Sequence, residues 1–555
     1  MLDRTMTVAP VHGITTTKPS FQAKFVLYLL LAAGILIRVF HYIDNRSLWE
    51  DEVFLASSLI HMDFKALAWQ PLEYMQRAPL GFLMLERLVV ILWDNKEASL
   101  RLVPFLSGIA SLLLVVRVAH FFLRSQAAFL ATVAMFALAP PLVYHAVEAK
   151  QYGVELLATL LGLYLYTLNF QTRAVPRLVL WGIAGAVILW FSFSSLFVFF
   201  GIAAAVGLRD LYRKDWKMFW LHMIPFSLWL ASFLIQYVLF ISRFPQEEWL
   251  VQFWRNRQAF MPLFPRTISD LGWPIAQIYA LIRYPMGLSW LELDYTVPYS
   301  QPLRVLARFP FIAVAMGLAG LWRVFKLEKG TLLLWSMPVL LALVASSVEL
   351  YPVKERMAVF LAPILLMVVG KGIEHLQQRS GSSLATKLIV LLLIAAPALN
   401  SFAQVINPDL FGDYKKSRQR EAMQYLKQHY RPGDIVYVFW NNLPSYKFYE
   451  EVYGLNFNVI YGSDMRQQST DFESYFKKME AEVSVLKDHK RIWYVYKPYN
   501  SLKLGDIENE PKWYYHNVDA NKNVLSYMSR FGKATQAFPS ASLATDVKLV
   551  LFEKE

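Results

Sequence analysis

The sequence contains no cysteine, which excludes disulfides, a thiolate nucleophile and cysteine-ligated zinc. Charge is scarce as well, since only 17% of the 555 residues are Asp, Glu, Lys or Arg. No internal repeat and no low-complexity tract is present, and residues 1–20 are polar and Thr-rich rather than the apolar centre of a cleavable signal. Apolar residues fill the space instead: 56% are hydrophobic, 15% are aromatic, and the mean hydropathy is +0.34. Such a chain is too apolar for water and expects a bilayer as its solvent. The remaining charge is unbalanced, at +13. Beside hydrophobic segments that excess points to anionic headgroups or a phosphate-bearing lipid, and not to nucleic acid.

Stretches long enough to cross a bilayer lie near 25–43, 102–122, 127–145, 153–170, 218–240, 305–323, 331–348, 357–374 and 388–405. The stretch 178–208 would make one helix of about 46 Å, too long for a core of ~30 Å. Ser192, Ser194 and Ser195 interrupt it, so it reads as two short spans with a tight outer turn. Basic residues recur on alternate turns of the chain: Arg117 and Arg124, Arg173 and Arg177, Arg209 to Lys217, Arg323 to Lys329, and Arg379 with Lys387. Those loops are expected on the cytoplasmic side. About eleven spans with a cytoplasmic N-terminus follow, leaving 44–101, 145–152, 241–304, 349–356 and everything after 405 outside. Two further apolar segments, 79–93 and 266–290, are broken by Glu86 and Arg87 or by Pro274, Arg283 and Pro285. They suit interfacial or re-entrant helices on the outer face.

From about residue 406 the composition becomes that of a soluble domain. Apolar runs at 434–440, 457–462, 491–496 and 547–552 read as buried strands, separated by helical patterns at 417–430, 444–452 and 470–488. The turn signal Arg431-Pro432-Gly433-Asp434 precedes the first strand. The expected architecture is a polytopic α-helical membrane domain over 1–405, with a first outer loop at 44–101. A small extracytoplasmic α/β domain with a largely parallel sheet over 406–555 completes it.

The most informative cluster is Glu50-Asp51-Glu52, just beyond the first span, with Asp44 shortly before it. Adjacent carboxylates at an interface raise each other's pKa, so something must compensate them. General-base chemistry on an acceptor hydroxyl is one answer, and a bound divalent cation is another. A solvated negative loop edge is the third. Arg38 and His41, at the outer end of the first span, are suited to neutralising these acids. His145 beside Glu148 is a weak zinc signature. Trp249, Trp254 and Trp273 belong to the interfacial belt or stack on a sugar or a prenyl chain.

Further motifs follow in order: Arg77-Ala78-Pro79-Leu80-Gly81, Ser99-Leu100-Arg101-Leu102-Val103-Pro104, and Tyr144-His145-Ala146-Val147-Glu148-Ala149-Lys150-Gln151-Tyr152. Together with the acidic pair, their order and sidedness resemble the GT-C polytopic glycosyltransferases over roughly residues 20–405. The similarity is to the glycosyltransferase 39 group, which includes protein O-mannosyltransferases and lipid A aminoarabinose transferases. The resemblance implies a polyprenyl-phosphate sugar donor and a lipid, protein or polysaccharide acceptor outside a bacterial inner membrane. It also implies inverting transfer of a hexose or pentose. Asp51 falls on the family's catalytic carboxylate, with Glu52 as its partner. Glu148, Lys150, Tyr152 and Arg356 fall on substrate-binding positions, Lys150 and Arg356 near the leaving phosphate and Glu148 near a sugar hydroxyl or a divalent metal. Lys150 stands where the family more often has Arg, losing the two-pronged grip on phosphate. Met357 follows Arg356 where the family often has Tyr. The rival reading from another class is a transporter or flippase of lipid-linked saccharides, which would place its charges near mid-membrane.

Overall fold

A computed structural model describes residues 21–244, 248–290, 310–381, 383–412, 416–498, 511–515, 520–539 and 546–554. The membrane part starts with α1 (Phe21–Asp44). An outer loop follows, carrying α2 (Glu50–His61), α3 (Phe64–Trp69), α4 (Leu80–Leu92) and α5 (Glu97–Leu100). The chain then forms α6 (Leu102–Phe122), α7 (Gln126–Leu138), α8 (Pro140–Ala146), α9 (Tyr152–Asn169), α10 (Val175–Ile188), α11 (Ser195–Tyr212) and α12 (Trp216–Leu239). Two shorter helices, α13 (Glu248–Asn256) and α14 (Ile268–Arg283), precede α15 (Phe311–Leu327), α16 (Lys329–Ser347), α17 (Ala362–Ser380) and α18 (Leu384–Ile406).

Each of the eleven segments expected to span is helical. Among the described residues seven helices are long and apolar enough to cross a bilayer alone, and α7 with α8, bent by 53°, makes an eighth. The chain is an integral membrane protein. The first residues of the segment expected at 305–323 lie outside the described residues, and its helix is described from Phe311. The stretch 178–208 is broken where the serines stand. Ser192 Oγ accepts from the amide of Ser195, Ser195 Oγ donates to Ser192 O, and Ser194 Oγ donates to Glu155. The break thus satisfies its own polar groups, the condition for irregular backbone at membrane depth. Close packing elsewhere rests on glycine. A Cβ on Gly320 or on Gly372 would lie 1.9 Å from a carbonyl oxygen of the facing helix, so α15 and α17 touch backbone to backbone.

The segments assigned outside by the charge pattern meet at one end of this array. Loop 44–101 contacts Lys150 and Arg356, while residues 255–257 pair with Glu349 and Glu355. Both segments foreseen as interfacial, 79–93 and 266–290, contain helices there, α4 and α14.

The tail carries α19 (Gln419–His429), α20 (Leu443–Val452) and α21 (Phe472–Val483), with five strands. These are β1 (Ile435–Val438), β2 (Val459–Tyr461), β3 (Arg491–Tyr496), β4 (Lys533–Phe538) and β5 (Lys548–Glu553), in the order β2-β1-β3-β5-β4. The sheet is mixed and not largely parallel: β1 runs parallel to β2 and β3, whereas β5 is antiparallel to both β3 and β4. Strand β4 has no counterpart in the sequence reading, because an edge strand reading Lys-Ala-Thr-Gln-Ala-Phe carries little apolar alternation. Side-chain alternation divides the sheet into two faces. Tyr437, Ile492 and Tyr494 pack against α21, while Val436, Val438, Trp493 and Leu551 join Leu48, Val53 and Leu59 in a single apolar cluster. One sheet face therefore shares its core with the start of the first outer loop.

Candidate active site

Glu50, Asp51 and Glu52 form the first turn of α2. A helix N-terminus favours carboxylates there through its unpaired amides and macrodipole. Successive residues on a helix point about 100° apart, so the three acids leave in three directions. Each meets its own cations.

Glu52 turns inward and is fully buried. Arg46 donates to its Oε2 at 2.8 Å, and Arg101 contacts both oxygens at 3.2 and 3.3 Å. The backbone amides of Trp49 and Ala149 add bonds of 3.1 and 2.7 Å. The carboxylate thereby ties together the start of α2, the start of α6 and the loop 147–151. Glu50 turns to the tail, where Lys497, just after β3, donates to it at 2.5 Å.

Asp51 faces the space between loops. Lys150 Nζ lies 3.1 Å from Oδ1 and Arg356 NH1 lies 2.8 Å from Oδ2. Burial pulls the Asp51 carboxyl up, but Lys150 and Arg356 together outweigh it and hold it below the usual range. The Lys150 ammonium is also buried, and desolvation with the nearby Arg356 takes it below its ordinary value despite Asp51. Gln76, from the segment before α4, accepts a 2.5 Å bond from Lys150. The Arg356 guanidinium sits 5.7 Å from the Trp49 ring and 5.9 Å from the rings of Tyr152 and Trp254. Flat apolar faces around a cation strengthen its field by excluding water.

Glu148 lies behind this group. It accepts from Trp49 Nε1 at 3.2 Å and bonds His145 Nδ1 at 2.6 Å. The other ring nitrogen of His145 bonds the hydroxyl of Tyr284. Among the described residues no three imidazole or carboxylate groups converge as a metal-ligand set.

The geometry thus brings Asp51, Lys150, Tyr152 and Arg356 to one place, with Glu148 alongside and Glu52 directed away. Arg38 and His41 do not neutralise the acids. Arg38 is buried within α1 and donates to the carbonyls of Gly34 and Ala137, and His41 stacks on Phe411 at 3.7 Å. Gln76, Arg46 and the placement of Trp254 were not read from the sequence. Gln76 and Trp254 meet partners distant along the chain, whereas Arg46 reaches Glu52 only six residues on because the turn before α2 folds back. The side chain of Trp249 lies outside the described residues.

The helical bundle with its outer loop and mixed α/β tail makes the chain a polytopic membrane protein, and its likeness to solved structures shows a GT-C fold. In three dimensions it is similar to ArnT from Cupriavidus metallidurans in the apo state, with a TM-score of 0.51 and 13% identity, covering 96% of this chain and 98% of that one. ArnT bound to undecaprenyl phosphate matches with a TM-score of 0.47 and 13% identity, over 94% and 97% of the two chains. The Archaeoglobus fulgidus oligosaccharyltransferase tethered to an acceptor peptide matches with a TM-score of 0.45 and 12% identity, over 86% of this chain and 69% of that one. No family model and no curated protein matches the sequence.

Proposed function

We propose that the protein transfers a single sugar from a polyprenyl-phosphate donor to an acceptor hydroxyl at the extracytoplasmic face of a bacterial inner membrane, with Asp51 as general base. The carrying observation is that one carboxylate, flanked by identically charged neighbours, is held between a lysine and an arginine at helix ends. In that pairing Asp51 stands where an anionic ligand would stand. A donor phosphate entering the site competes for Lys150 and Arg356, and Arg356 suits phosphate through its planar fork. As the cations turn to phosphate, Asp51 loses the charges that depress its proton affinity and becomes a better base when the acceptor arrives. The acceptor oxygen then forms a bond to the anomeric carbon while its proton passes to Asp51. The carbon–oxygen bond to phosphate breaks, and the phosphate keeps the electron pair beside Lys150 and Arg356. Attack opposite the leaving group inverts the anomeric centre. Glu52 acts as a positioning residue that fixes the turn carrying Asp51, and Glu148 orients Trp49 against Arg356.

The charges of this site gather at helix ends, which favours transfer over transport, since a transporter places its binding charges near mid-membrane. Binding of polyprenyl phosphate to the purified protein in nanodiscs tests the exchange of partners. Lys150→Met and Arg356→Gln are each expected to weaken it by about tenfold or more, the loss of one charge-assisted contact. Unchanged binding in both variants would remove the phosphate from this site.

A further inference from the structure

The segment 70–79, which joins α3 to α4, is fastened at both ends and open in its middle. Leu72 is 5% exposed and Ala78 is fully buried, whereas Tyr74 and Met75 between them are 40% and 50% exposed. The near end is tied to α2. The Glu73 amide donates to Ser58 Oγ at 2.9 Å, its carboxylate meets His61 Nδ1 at 2.9 Å, and the Tyr74 ring stacks on Phe54 at 4.8 Å. Phe54, Ser58 and His61 all belong to the helix whose first turn carries Asp51.

The open middle holds two consecutive residues in the left-handed region, Tyr74 with φ 51° and Met75 with φ 53°. Neither is glycine, asparagine or aspartate, the residues that visit that region at little cost. Two such residues in a row stay there only because their surroundings hold them. They set the place of the next residue, Gln76, whose Oε1 accepts from Lys150 Nζ at 2.5 Å. The amide oxygen thus takes one of the three N–H donors of the ammonium, and Asp51 at 3.1 Å takes another. A neutral amide oxygen is a weaker partner for an ammonium than a phosphate oxygen, because an ionised acceptor roughly doubles the strength of such a bond. Gln76 is therefore the group on Lys150 that yields first to an anion, and its departure frees the strained pair beside it.

We infer that segment 70–79 is a spring-loaded strap over Lys150. Donor phosphate displaces Gln76 from the ammonium, Tyr74 and Met75 relax to ordinary backbone angles, and the strap withdraws from the site. The strain released adds to the affinity for the donor, so a residue that touches neither phosphate nor sugar tunes how tightly the donor is held. This inference rests on the proposed role of Lys150 as a phosphate contact.

Because the sequence contains no cysteine, Met75→Cys provides a single site for a nitroxide label on the full chain in nanodiscs. Polyprenyl phosphate is expected to change the mobility spectrum of the label with the midpoint of its binding, and the polyprenyl alcohol of equal length to leave it unchanged. Two further variants carry opposite signs. Met75→Asn tolerates the left-handed region without the freedom of glycine, so it should raise the melting temperature and weaken polyprenyl phosphate binding by about two- to fivefold. Met75→Val, β-branched and ill suited to that region, should lower the melting temperature and tighten binding. A segment that stays in place would shift the melting temperatures and leave both affinities at the wild-type value. That result, affinities that move in one direction together, or a label that ignores polyprenyl phosphate or answers the alcohol equally, overturns the strap and leaves the proposed site standing. Polyprenyl phosphate binding that survives in both Lys150→Met and Arg356→Gln removes the proposed site, and the strap with it.

Discussion

Replacing Glu52 by Gln removes one charge from the most enclosed ionic group of the outer loop and leaves its shape almost unchanged. In the wild type the carboxylate is fully buried and answers Arg46, Arg101 and two backbone amides. Arg101 is itself fully buried and has no other carboxylate in contact among the described residues. Its remaining bonds go to Asn45 and to the carbonyls of Arg46 and Ser47. The substitution therefore strands a desolvated guanidinium, and an amide must also turn one N–H toward donors. Breaking a buried pair from one side costs about 3–5 kcal/mol, or roughly two to four orders of magnitude in the folding equilibrium. That is a large share of a typical stability of about 5–15 kcal/mol. Thermal unfolding in detergent, followed by tryptophan fluorescence and size exclusion, should show a large loss for Glu52→Gln. The neighbouring Asp51→Asn keeps its hydrogen-bonding shape at a position less enclosed than Glu52, with Gln76 still accepting from Lys150, and should lose clearly less. A stable Glu52→Gln protein with normal melting would refute the assignment of Glu52 to positioning.

Other consequences follow from the same contacts. Removing the ammonium in Lys150→Met takes away one of the charges that depress Asp51, so the acid limb of the pH–rate profile for kcat/KM should move to higher pH; an unmoved limb would mean that Asp51 does not set it. His61 joins Glu73 and Glu451 at 2.9 Å each, linking the first outer loop to the tail. Burial lowers its pKa, but the bonds to Glu451 and Glu73 outweigh this and raise it. The stability it contributes is therefore full below the ordinary histidine value near pH 6.5 and is lost as pH rises through the higher folded value. Hydrogen exchange in α2 and α20 should accelerate toward alkaline pH in the wild type and show no such step in His61→Gln. The Tyr449 hydroxyl accepts from the Leu48 amide at 2.7 Å. Tyr449→Phe should lower kcat more than it raises KM, because it loosens the turn before Asp51 and leaves the phosphate cations in place; equal effects on both would argue against it.

The membrane helices were legible because span length and charge sidedness are local properties of the chain. Even the division of 178–208 followed from arithmetic on helix length, and the serines there do supply the hydrogen bonds of the break. The three acids were legible as an expense that needed compensation. Their individual roles were not, since the rotation of α2 decides which acid faces which cation. The partners stand far off in sequence: Arg101, Lys150, Arg356 and Lys497 come from four different parts of the chain. Arg38 misled for the complementary reason. Proximity in sequence suggested an ion pair, whereas the helix directs its side chain to carbonyls of α1 and of Ala137. In the tail, β1, β3 and β5, buried on both faces, announced themselves as apolar runs, as did the half-buried edge strand β2, whereas the polar edge strand β4 did not.

The central claim is that Asp51 receives the acceptor's proton. Transfer from a purified polyprenyl-phosphate sugar by the wild-type protein and by Asp51→Asn, both reconstituted in proteoliposomes, tests it most directly. Loss of a general base should lower kcat by about 10²–10⁴-fold while donor binding persists. Full transfer by a correctly folded Asp51→Asn protein would contradict the account.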